Sequence, residues 1–275
     1  RRERVVAEAL EAADVDREGV FVATKGGFVP FEGDRPADPG ATVRERYLDP
    51  GLIERDALVR GQHCLAPAFL DDQIDRSLAN LGVETVDCYY VHNPETQLEA
   101  HSRAAVYDQL QAAFEVLEER VAAGDVRGYG VATWDALRVE ETHDSYLSLA
   151  AIQERARAAA EAVGAAENHL VAIQLPFNVA MADAFTVESQ PAPDGDGRTS
   201  ALWYAAEAGL SVFASASLMQ GQLADGLPEA VAAKLAGDTP AQRAINFTRS
   251  APGVTSALVG TGSPAHVAEN VGAGT

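Results

Sequence analysis

Six short apolar stretches, each separated from the next by a helical one, restrict this chain to a narrow class of folds. They are Val20-Phe-Val-Ala-Thr-Lys-Gly-Gly27, Thr85-Val-Asp-Cys-Tyr-Tyr-Val91, Gly128-Tyr-Gly-Val-Ala132, Leu170-Val-Ala-Ile-Gln-Leu175, Leu210-Ser-Val-Phe-Ala-Ser215 and Ser256-Ala-Leu-Val-Gly260. Their length and β-branched or aromatic content read as strands. Helical stretches alternate with them. Arg1 to Leu10 carries Val5, Val6, Ala9 and Leu10, and a helix opening at Asp71 carries Ile74, Leu78 and Leu81 and stops at Gly82. Ala104 to Ala123 places Val106, Leu110, Phe114, Leu117 and Val121 on one stripe before Gly124. Further helices span Ser148 to Val163 and Thr199 to Ala208, each followed by glycine. Thr239-Pro240 and Ser263-Pro264 each supply an N-cap and a proline at the first helical position, the second for a helix running through Asn270.

Connections this long cannot be hairpins, so the strands are expected to be parallel with right-handed crossovers in an α/β fold. A doubly wound open sheet and a (β/α)8 barrel lacking some units both fit. The first strand-to-helix turn has no G-x-G-x-x-G pattern, which weakens the dinucleotide-binding open sheet, and 275 residues with six strands favour the barrel. A single domain over residues 1–275 is expected. The sequence opens on a helix in progress, without Met, and stops at Gly274-Thr275 after another, so both ends are expected to be incomplete. Gly26 to Ala68 and Phe177 to Arg198 read as long loops, the first an insertion or lid, the second mobile.

In a parallel barrel the chemistry gathers at the C-terminal ends of the strands. There stand Lys25, His92, Thr133 with Trp134, Gln174, Ser215, and Gly260 with Thr261. Lys25 is one of only two lysines, against nineteen arginines, so a lysine at a strand mouth stands out. A cation beside the imidazole of His92 suits acid–base chemistry at a carbonyl. Gly260-Thr-Gly-Ser-Pro264 offers free backbone N–H groups at a helix start, which suits a phosphate. His101, His143 and His169 have no ligand-like spacing and read as solvated or structural, and His63 has a lesser claim to line the pocket.

The formal net charge of -20, spread along the chain, argues against nucleic acid or an anionic membrane and points to salt adaptation. Two cysteines, Cys64 and Cys88, allow one bridge at most, and Cys88 lies in an apolar strand where a buried thiol is expected. No metal-ligand spacing, membrane span or signal pattern is present, which favours a cytoplasmic protein.

Five segments, in order, resemble the aldo-keto reductase superfamily across essentially the whole chain. They are Phe21-Val-Ala-Thr-Lys25, Val86-Asp-Cys-Tyr-Tyr-Val-His92, Gly128-Tyr-Gly-Val131, Ile173-Gln174, and Leu258-Val-Gly-Thr-Gly-Ser-Pro264 continuing to Glu269-Asn270. The resemblance implies a (β/α)8 barrel that binds NAD(P)H and reduces a carbonyl compound. In that family a tyrosine donates the proton, a lysine paired with an aspartate lowers the tyrosine pKa, and a histidine orients the carbonyl. Lys25 matches the lysine and His92 the histidine. The family's Asp and Tyr precede the helix with which this sequence opens and match no position in it, as do its first two strands.

The cofactor positions implied by the resemblance are Thr133, Gln174, Ser215, Gly260, Thr261, Gly262, Ser263, His266, Glu269 and Asn270, with Trp134 lining the substrate site. Ala132-Thr133 stands where many members have Ser-Asn, and Ser215 near where a tyrosine stacks on the nicotinamide. The basic grip on a 2′-phosphate falls at Gly260 or Gly262 and at His266, so NAD is expected over NADP. The expected function is reduction of an aldehyde or ketone, or the reverse oxidation, on a small-molecule substrate. The alternative is a non-catalytic nucleotide-binding or regulatory barrel, and a third class is an aldolase using Lys25 as a Schiff base.

Overall fold

The computed structural model describes residues 2–31, 33 and 36–274. Arg1, where the opening helix was expected to start, Thr275, and Glu32, Asp34 and Arg35 of the first long loop lie outside the described residues. The chain divides into two compact units, residues 1–132 with 151–171, and residues 133–150 with 172–275.

The first unit holds β1 (Ala23–Gly26), β2 (Cys88–His92) and β3 (Tyr129–Ala132), all parallel, with the first residues of β4 (Leu170–Pro176). β1 registers Lys25 against Tyr90 and Gly26 against Val91, and β2 registers His92 against Ala132. Both Tyr89 and Tyr90 are buried, as consecutive residues of a strand covered on both faces must be. The helix Pro67–Leu81 starts a turn before the expected Asp71, because Pro67 takes the first helical position. It buries Phe69, Leu70 and Ile74 and ends at left-handed Gly82. Helix Arg103–Ala123 buries Val106, Leu110, Phe114 and Leu117, and the Phe114 ring stacks on Tyr129 at 5.0 Å. Both cysteines are free and buried, and burial pushes the Cys88 thiol up to about 12.

Glu118 carries a buried carboxylate on that helix. It accepts hydrogen bonds from Tyr129 Oη at 2.7 Å and His169 N at 2.8 Å and pairs with His169 Nδ1 at 2.6 Å. These partners satisfy polar atoms that would otherwise be costly to bury, and His169, expected to be solvated or structural, is held in a structural contact.

The second unit places β4 beside β7 (Ser211–Ser215), and β7 beside β8 (Ser256–Ala257), all parallel. β8 is shorter than its apolar run, beyond which Leu258 N still donates to Ala214 O of β7 at 2.8 Å. Neither long loop is bare. Residues 26–68 contain short helical turns and pack Val29, Val43, Tyr47, Ile53 and Cys64 into an apolar cluster with Phe69 of the following helix. In the second, β5 (Gln190–Pro191) and β6 (Arg198–Thr199) form an antiparallel ribbon. Gln190 binds Leu149 N and Leu147 O, and Tyr146 Oη donates to Ser189 O at 2.9 Å. Those bonds tie down a segment whose composition reads as mobile. Among the described residues no helix is long and apolar enough to cross a membrane.

Candidate active site

In the first unit, Lys25 and His92 lie at the ends of neighbouring parallel strands, β1 and β2. Lys25 is exposed at the rim of a cavity of about 230 Å³, also lined by Glu3, Phe28, Phe31 and Gln73. Partial desolvation lowers its ammonium pKa from the ordinary value. Burial holds the His92 imidazole down to about 3, with the positive charge of Lys25 and neighbouring His63 acting in the same direction. At neutral pH His92 is therefore an uncharged imidazole beside a cation.

The backbone that carries Lys25 is shaped by two glycines. A Cβ on Gly26 would lie 2.3 Å from Tyr89 Oη and 2.6 Å from Gln73 Oε1. Gly27 has φ +133°, and a Cβ there would lie 2.9 Å from the His92 carbonyl oxygen. The Gln73 amide clamps this turn, accepting from Gly27 N at 2.8 Å and donating to Phe28 O at 2.7 Å. After β2, Asn93 takes a left-handed conformation (φ 47°) before Pro94.

His63 is the residue at this site that sequence reasoning undervalued. It is fully buried, its Nε2 lies 2.8 Å from His92 O, and Gln97 Nε2 approaches its Nδ1 at 2.7 Å. Phe28 meets both histidine rings edge-on, with centroids 4.7 Å from His63 and 5.0 Å from His92. Burial holds His63 down to about 4. It lies in an insertion 29 residues before His92, and no spacing rule links the two. In the sequence only its neighbour Cys64 marks the position, while the bridge to Phe28 that brings it to the site is a long-range contact.

The second unit holds the remaining sequence candidates. Thr133 N donates to Gln174 O at 2.8 Å, which joins those two positions, while Pro176 registers against Ser215. Thr133 is 4% exposed, and its Oγ1 is buried with no hydrogen-bond partner among the described residues. An orphaned hydroxyl at a strand end fits a polar ligand group such as a carboxamide. Trp134 is 44% exposed beside it.

Gly260, Thr261, His266, Glu269 and Asn270 line a cavity of about 600 Å³ together with Ser217. Gly262 and Ser263 complete the turn into the helix Pro264–Val271, where Ser263 Oγ accepts from His266 N at 3.3 Å. Asn270 Nδ2 donates to Thr261 Oγ1 at 3.2 Å, tying helix to turn. Opposite them the chain after β7 is strained, with Ala216, Met219 and Gln220 at positive φ. The orphaned Thr133 hydroxyl, the open turn at a helix start and the size of the cavity fit a nucleotide cofactor. No group of three or more metal-ligating side chains occurs among the described residues.

The sequence model of a family described as Aldo/keto reductase family matches residues 1–275. Among solved structures, an aldo-keto reductase AKR11C1 from Bacillus halodurans, in its holo form, is similar with a TM-score of 0.57 and 17% identity. That likeness covers 98% of this chain and 72% of the other, and it establishes the barrel-type α/β fold expected from the strand alternation. Among curated proteins none matches the sequence.

Proposed function

Because this chain belongs to the aldo/keto reductase family, we propose that it serves NAD(P)H-dependent reduction of an aldehyde or ketone, or oxidation of the corresponding alcohol. The observation that carries this reading is the neutral His92 beside the Lys25 ammonium at adjacent strand ends. Reduction of a carbonyl builds negative charge on its oxygen, and donors aimed at that oxygen lower the barrier. His92 orients the substrate carbonyl as an uncharged hydrogen-bonding group, and Lys25 keeps positive charge beside it. In the family the lysine, paired with an aspartate, acts on a proton-donating tyrosine, and both of those residues precede the helix with which this sequence opens.

NAD(P)H, when bound, supplies the hydride. Thr133 and Gln174 are assigned to its carboxamide, Ser215 to the ring, and Gly260, Thr261, Gly262 and Ser263 to its phosphates. His266, Glu269 and Asn270 are assigned to the adenosine end. Trp134 is assigned to the substrate side, and its exposed ring suits an apolar carbonyl compound. The 600 Å³ cavity is lined by Asp225 and Glu269 and, among the described residues, by no lysine or arginine. A 2′-phosphate would meet carboxylates there, which supports NAD over NADP.

A second reading is a barrel that binds the nucleotide without turning over substrate. It is favoured by Ser215 standing near where the family has a stacking aromatic ring. Titration of the protein with NADH and NADPH by fluorescence quenching, followed by NADH consumption with a panel of aldehydes and ketones, separates the two. Saturable binding with turnover supports the reductase, and binding without turnover supports the second reading. Binding of neither nucleotide overturns both, and tighter binding of NADPH overturns the NAD preference.

A further inference from the structure

β1 leaves the sheet one residue too early for His92. Its last registered pair is Gly26 with Val91, and the chain turns away at Gly27 with φ +133°. On the other side β3 still supports His92, which registers against Ala132 while Asn93 N donates to Ala132 O at 2.6 Å. On the β1 side the His92 carbonyl lies beyond the last paired strand residue. The group that meets it is the His63 ring, with Nε2 2.8 Å from His92 O.

The neighbours fix which ring nitrogen carries the proton. Gln97 Nε2 lies 2.7 Å from His63 Nδ1 and 3.2 Å from the His63 carbonyl oxygen. A carbonyl only accepts, so the nitrogen facing both must be the amide NH2, and Nδ1 accepts from it. The proton of the uncharged ring then sits on Nε2 and points at His92 O. The approach is possible only because residue 27 has no side chain, since a Cβ there would lie 3.3 Å from His63 Nε2 and 2.9 Å from His92 O. Phe28, edge-on to both rings, closes the third side.

We infer that His63 is a positioning residue for His92, replacing the strand donor that β1 does not supply and thereby fixing the peptide plane from which the His92 imidazole projects. The inference rests on the reductase reading for its catalytic consequence, and on geometry alone for the positioning itself. Glutamine can reproduce both bonds, donating through Nε2 and accepting through Oε1, whereas leucine can make neither. Long-range 1H–15N spectra of the histidine rings read the positioning without turnover.

The wild type is expected to show one His92 ring environment and an Nε2-protonated His63. His63→Leu is expected to broaden or split the His92 signals, and His63→Gln to restore them. With carbonyl turnover measured in parallel, His63→Leu is expected to lower kcat about 10²-fold, with little change in NADH affinity and recovery in His63→Gln. Gln97→Leu, which frees the far side of the ring, is the second variant should His63→Leu fail to fold, and it is expected to disturb the same His92 signals. His92 signals that respond as stated in a protein with no turnover support the positioning while overturning the reductase reading. Unchanged His92 signals in His63→Leu, or in Gln97→Leu where it is used, overturn the inference whatever the turnover.

Discussion

Gly27 joins the two histidines of the site to the turn that ends β1. Its φ of +133° is open to glycine, and the space a Cβ would need is occupied by His92 O and His63 Nε2. Gly27→Ala is expected to lower stability by about 2 kcal/mol through backbone strain and displaced neighbours, read as a shift in the urea midpoint. His63 predicts a pH dependence of definite sign. Its imidazole is held to about 4 in the folded chain, against roughly 6.5 when unfolded. Between those values the unfolded chain takes up a proton that the folded chain refuses. The contribution to stability is thus complete above pH ~6.5 and is lost as the pH falls toward 4. His63→Gln, with no ring to titrate, is expected to lose stability less steeply over that window in parallel urea titrations. An equal or steeper loss would show that His63 does not contribute there.

The strand alternation was legible because each strand is a short apolar run closed by a helix with its own stop signal. The caps at Ser263-Pro264 and Thr239-Pro240 form as read, with Ser263 and Thr239 accepting from the third residue on. What was not legible lay where long-range contacts override local composition. The first long loop reads as an insertion or lid because its glycines, prolines and aspartates dominate, yet its Tyr47 packs edge-to-face at 5.1 Å on Phe69 of the following helix. The second reads as mobile, but Gln190 anchors it through bonds to residues 41 and 43 positions away. Glu118 follows the stripe residue Leu117 and is buried with it. Its three bonds make Glu118→Ala costly, by about 3 kcal/mol, since Tyr129 Oη and His169 lose their buried acceptor. Glu141→Ala, which removes an exposed pair with Arg198, is expected to cost under ~1 kcal/mol. Thermal or urea denaturation of both variants checks the contrast.

Across the chain, the residues that resemblance assigns to catalysis and to the cofactor fall in different units. Lys25 and His92 belong to the first, and Thr133, Gln174, Ser215 and the Gly260–Asn270 segment to the second. Motif order proposes these positions, but the neutral state of His92 and the orphaned Thr133 hydroxyl required three-dimensional packing. The acidic composition carries through to the 600 Å³ cavity, where Asp225 and Glu269 underlie the proposed preference for NAD. The central claim is that Lys25 and His92 serve carbonyl chemistry with a nicotinamide nucleotide. The direct measurement is NADH oxidation with an aldehyde substrate by the protein and its Lys25→Met and His92→Ala variants, each first titrated for NADH affinity. The prediction is a fall in kcat/KM of about 10²- to 10⁴-fold in both variants with nucleotide affinity little changed. Turnover that survives both substitutions at the wild-type rate would contradict it.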